Sequence, residues 1–164
     1  MAAGSTYTPI ATTTLGSTAT SYTFSSIPST YTDLVLIISG KSTGPTDAWL
    51  QFNSDTATNY SDTRLYGNGT SAVSERNSNA VKTYLDSSVY LSTNQCNYVV
   101  SIMNYSNTTT YKTVLSRFNN SAVGTNTNVG LWRSTSAINS VKIGLDGNSY
   151  DIGTSFTLYG IKAA

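Results

Sequence analysis

Almost every apolar run in this chain is short, rich in β-branched and aromatic residues, and closed at its ends by Gly, Pro, Asn or Asp. Alternation with a period of two is the mark of half-buried strands, and no stretch carries an apolar stripe at helical spacing. The segments that read as strands are 10–15, 19–26, 32–40, 48–53, 63–66, 81–91 with a break near Asp86, 96–105, 111–118, 129–133, 138–145 and 155–161. About ten strands at this spacing, separated by turn clusters, predict an all-β antiparallel β-sandwich or barrel.

Two of these runs say more. In "TDLVLIIS" Leu34, Leu36 and Ile38 fall on one side of the pleat and Val35 and Ile37 on the other, so both faces expect a cover. In "AWLQFN" Ala48, Leu50 and Phe52 suit a core, while Trp49, Gln51 and Asn53 point away from it. The last run, "TSFTLYGI", predicts a paired closing strand. Residues 1–9, small and polar up to Pro9, predict a flexible arm, or a strand that orders only against another subunit. Residues 10–164 then form one β-sandwich domain, a size at which a real core can be buried. Long connections are expected at 42–47, 67–79 and 119–128, the places where binding usually resides.

Ser and Thr make up roughly a third of the chain and only 10% is charged, against the usual ~25%. Twelve Tyr, four Phe and two Trp nevertheless argue against disorder. With nine Lys and Arg against eight Asp and Glu, scattered singly, there is no electrostatic footprint for a nucleic acid or an anionic membrane. A surface of neutral hydrogen-bonding groups repels its own copies weakly. The start "MAAGSTYTPI" has neither basic nor apolar leader character, and no run approaches a membrane span, so a soluble cytoplasmic product is expected. Five Asn-x-Ser/Thr triplets, starting at Asn59, Asn68, Asn104, Asn107 and Asn119, are read as unglycosylated on the same ground.

The absence of histidine removes Ser-His-Asp, Cys-His and His-metal sites together. No Gly-rich loop ends in Gly-Lys-Ser/Thr, and the Asp residues sit mostly where turns prefer them. Cys96 is the only cysteine and reads as a buried, inert thiol. "DGNSYD" at 146–151 has alternating oxygen ligands but lacks the distal Glu of a calcium loop, and Asp-Gly reads more simply as a hairpin turn. No cofactor, metal or catalytic residue is assigned. Trp49, Gln51 and Asn53, with Trp132 of "GLWRS", are the candidate binding surface, since Trp beside neutral donors can stack on a sugar or anchor a protein. The competing reading of both tryptophans is that they complete a covered face.

The phrases "YTPIATTTLGSTATSYTFSSIPSTYTDLVLIISGKS", "NYSNTTTYKTVLSR", "GLWRSTSAINSVKI" and "GTSFTLYGIKAA" resemble the small all-β virion proteins of tailed bacteriophages, especially those of cyanobacteria and other aquatic hosts. The resemblance implies a jelly-roll-like sandwich, most often a homotrimer, located in the virion and used as a structural or adhesive part. Its first expectation is a non-enzymatic decoration or cement protein bound to the phage major capsid protein on the head shell, favoured by the brevity of the chain. The alternative is a tail-fibre or receptor-binding tip that recognises a host glycan through Trp49 or Trp132. A carbohydrate-binding module detached from an enzyme ranks third.

Overall fold

The computed structural model describes residues 6–86 and 90–162. These fold as an antiparallel β-sandwich without helices. Its strands are β1 (Tyr7–Thr14), β2 (Ser21–Phe24), β3 (Asp33–Gly40), β4 (Ala48–Phe52), β5 (Tyr60–Gly67), β6 (Ala72–Ala80), β7 (Thr83–Tyr84), β8 (Cys96–Met103), β9 (Lys112–Asn120), β10 (Gly124–Trp132), β11 (Val141–Leu145) and β12 (Ser155–Ile161). An eight-stranded sheet runs β1-β12-β3-β8-β9-β10-β5-β6, and a four-stranded sheet runs β2-β11-β4-β7.

Alternation decides which side chains meet. From the large sheet, Leu34, Leu36 and Ile38 of β3, Tyr98, Val100 and Ile102 of β8, and Phe156 and Leu158 of β12 point inward and are buried. Ala48, Leu50 and Phe52 of β4 oppose them, in register with Leu145, Ile143 and Val141 of β11. The inward triplet of "AWLQFN" is therefore the one that the pleat predicts. Rings lock the two layers, with Tyr22 stacked on Phe156 at 5.2 Å and Tyr150 edge-on to the same ring at 5.0 Å. Each fully buried Leu, Ile or Phe contributes about 1.5–3 kcal/mol relative to exposure.

Several boundaries differ from the sequence reading, each for a physical reason. Tyr7, Thr8 and Pro9, expected in a flexible arm, pair with Ile161, Gly160 and Tyr159 of β12; residues 1–5 lie outside the described residues. Pro9 is tolerated because β1 is an edge strand, where a missing donor costs little. The connection expected at 67–79 contains β6, an edge strand without alternation because most of its side chains meet water. The one expected at 119–128 is the end of β9, a short turn and the start of β10, whose inward Asn126 and Asn128 are buried. Buried amides had the composition of a loop.

Among its described residues the run 81–91, expected as a strand with a break near Asp86, contributes only Thr83–Tyr84 to a named strand; residues 87–89 lie outside the described residues. Its backbone is held by side chains instead. Gln51 donates to the carbonyl of Val81 at 2.9 Å, Asn128 to that of Tyr84, Ser116 to that of Leu85 at 3.2 Å, and Asn120 to that of Tyr90 at 2.8 Å. The inner face of the large sheet is thus divided. One cross-strand row reads Arg64, Asn128, Ser116, Val100, Leu36, Leu158. Its apolar half belongs to the core shared with the small sheet, and its polar half holds the segment 81–92.

Two outcomes test this packing. Leu36→Ala is expected to lower stability by about 2–5 kcal/mol in urea unfolding, the cost of a core cavity. Removing residues 155–164 deletes β12, which lies between β1 and β3, and is expected to abolish cooperative melting. Soluble truncated protein that melts cooperatively would contradict that assignment.

Candidate functional site

The four residues singled out as a binding surface do not form one. Trp132, at the end of β10, is 2% exposed, stacked near Tyr60 at 6.2 Å and tilted against Phe52 at 5.5 Å. Its Nε1 donates to Asp55 Oδ2 at 2.7 Å, which explains why a buried indole is tolerated there. Burial pushes the Asp55 carboxyl up, but donation from Asn59, Trp132 and Ala57 outweighs it and holds the group below its usual range. Trp132 is a core residue.

Asn53 adopts a left-handed backbone, with φ of 52°, which Asn tolerates better than most residues. Its side chain acts as a surrogate strand: Oδ1 accepts from the amides of Asn139 and Ser140 at 2.9 and 3.2 Å, and Nδ2 donates to Ala137 at 2.8 Å. Gln51 is buried and committed to Val81. Neither amide is presented to a ligand.

Trp49 does face outward from the small sheet, but its ring is covered. The indole lies across Gly144 of β11, where a Cβ would sit 2.1 Å from Cζ2. The ammonium groups of Lys82 and Lys142 lie 5.1 and 5.6 Å from the ring, in cation-π range. Lys82 also pairs with Asp146 Oδ1 at 2.6 Å, and the Tyr84 hydroxyl donates to Asp146 Oδ2 at 2.9 Å. The cluster fastens β7 over β4 and β11. It also engages Asp146 of the "DGNSYD" turn, while Asp151 pairs with Lys41 at 3.8 Å. Among the described residues no three Asp, Glu, Cys or His side chains group as metal ligands.

Two further ionisable groupings escaped the sequence reading. Arg64 lies beside Asp62 at 3.0 Å and Glu75 at 3.7 Å, crosses the Tyr84 ring at 5.1 Å, and donates to the carbonyl of Asp86 at 3.4 Å. Asp86 is fully buried and accepts from the amides of Ala48 and Leu91, at 2.8 and 3.3 Å, and from the Tyr98 hydroxyl. Burial pushes its carboxyl well above the usual range, against the pull of those three donors. Both groupings tie residues 84–86 and Leu91 to the strands beside them. Cys96 is fully buried with its thiol raised by burial, as the strand pattern predicts.

What the surface does offer is the outer face of the large sheet. Leu65, Met103, Leu115 and Val129 are 36–53% exposed on it. Near the β5–β6 end lies a groove of about 610 Å³ lined by Leu65, Val73, Thr127 and Arg117. No known protein family matches this chain, and no curated protein or solved structure shows significant similarity to it.

The raised Asp86 group gives a signed expectation. The folded state holds its proton more tightly than the unfolded chain, whose carboxyl titrates near 3.9. Stability is therefore greatest below that unfolded value and falls as pH rises toward the folded one. Asp47 and Asp62, also raised by burial, act in the same direction. The melting temperature is expected to decline as pH rises above about 4, and Asp86→Asn to flatten that decline, as read by thermal melts across pH.

Proposed function

We propose that the chain is a non-catalytic contact protein of a tailed-bacteriophage virion, a decoration or cement protein bound to the major capsid protein on the head shell. The observation that carries this reading is where the polar chemistry has gone. The clusters around Asp86, Arg64, Trp49 and Trp132 are engaged within the fold, whereas the outer face of the large sheet is accessible and rich in Val, Leu and Thr. Such a face contributes area and not reactivity. The phrases that resemble small all-β phage virion proteins supply the location, and a jelly-roll-like relationship and homotrimeric assembly belong to the same proposal.

A cement role needs only specific interface area repeated over a shell. About 800 Å² per partner suffices for specific association, and a linked set of copies multiplies it through avidity. Low charge suits dense neighbours, because copies packed side by side then repel weakly.

Immunogold electron microscopy of intact particles, with antibody against the recombinant chain, is the test. Label spread over the head is the expected result. Label confined to the tail would overturn the decoration reading in favour of a receptor-binding one, and unlabelled particles would remove the virion assignment.

A further inference from the structure

We propose that the outer face of the eight-stranded sheet is covered in solution by the same face of a second copy of this chain. The inference rests on the reading of that face as a contact surface, assigns the face to a second copy and leaves the capsid contact to the rest of the surface, and is independent of where in a virion the protein sits.

An antiparallel sheet with one face in water normally alternates apolar inward with polar outward. This one does not. Its central outward row runs Tyr159, Val35, Ser101, Leu115, Val129, Thr63 across six neighbouring strands. The row on one side carries Ile37, Val99 and Leu65 in the corresponding places, and the row on the other carries Met103 and Leu131. β3 is thus apolar on both faces, as its sequence predicts; its outward Val35 is already buried, and the uncovered apolar area lies on β5, β8, β9 and β10, at Leu65, Met103, Leu115 and Val129. Leu65 is 53% exposed and Val129 50%.

Three observations choose the occupant. Among the described residues the outward positions of these eight strands are charged at Arg117, Arg76 and Asp33, and Asp33 already accepts the Asn104 amide at 2.6 Å. A face so poor in charge is complementary to itself, whereas a charged partner would find little to pair with. Its extent also fits. Eight strands about 4.8 Å apart, and three rows spaced by about 6.8 Å, make roughly 750 Å², close to the roughly 800 Å² per partner of a standard specific interface. Finally, the groove beside Leu65 opens next to Thr127 and Arg117 on this face and offers a recess for an aliphatic side chain from the facing copy. Two such faces can pack at the ordinary spacing of stacked sheets, about 10 Å, in a self-complementary arrangement.

The test is sedimentation velocity of the full chain over a concentration series, beside Leu115→Lys/Val129→Lys and a control, Thr23→Lys, on the outer face of the small sheet. Wild type and control are expected to associate, and the double variant to associate about 100-fold more weakly or not at all, because it buries unpaired charge. Melting curves verify that the variant folds. Thr63→Glu, at a position already polar and exposed, repeats the test should the double variant not fold. Wild type that sediments as a monomer at on the order of 100 µM overturns the proposal, since a standard interface would be populated there. Variants that associate as tightly as wild type overturn it too. Neither result bears on the immunogold outcome, so the two readings fail separately.

Discussion

The interior of this sandwich depends on side chains that stand in for strands. Residues 81–86 and 90–92 lie against the polar half of the large sheet with only Thr83–Tyr84 among them in a strand, and buried carbonyls and amides left without a partner would each cost about 1–3 kcal/mol. Gln51, Asn128, Ser116, Arg64 and Asn120 donate to the carbonyls of Val81, Tyr84, Leu85, Asp86 and Tyr90. Asp86 accepts the amides on either side, from Ala48 and Leu91. Without these contacts the four-stranded sheet would be too narrow to close the core alone.

That arrangement accounts for the part of the polar composition that lies inside. The abundance of Asn, Ser and Thr suggests a neutral exterior, but Asn120, Asn126, Asn128, Ser116, Thr83 and Thr154 are buried. Amides and hydroxyls are small, uncharged and able to meet irregular backbone, so they do here what a wider second sheet would do. The few charges follow the same logic. Arg64, Lys82 and Asp146 fasten loops to strands and to aromatic faces. The outer face of the large sheet is left with area and little charge, which is why the functional reading turns on association.

The pleat alternation at 48–52 and 34–38 was legible directly, since a strand facing a core must place one side chain in two inward. So were the β-class, the paired closing strand and the burial of Cys96. Legibility failed where burial and polarity part company. Asn126 and Asn128 alternate inward like core residues yet have loop chemistry, and β6 alternates hardly at all because most of its side chains meet water. The run 81–91 has strand composition but hydrogen-bond partners that come from β4, β5, β9 and β10, which no local pattern can announce. The sequence marks Trp132 and Trp49 as unusual residues but not what they pack against. Nothing near Trp132 in the chain indicates Asp55, and nothing near Trp49 indicates Gly144 or Lys142.

Native-state hydrogen exchange at the amides of Ala48, Leu85 and Leu91 tests the central dependence most directly. Leu85 N–H donates to the Ala48 carbonyl at 2.8 Å, and the other two donate to Asp86. If the side-chain contacts make the segment part of the core, these amides exchange only through global unfolding, with the same opening free energy as the central amides of β3 and β8. Exchange through a local opening of much lower free energy would show that the segment detaches while the sandwich persists, and the account of the interior would be wrong.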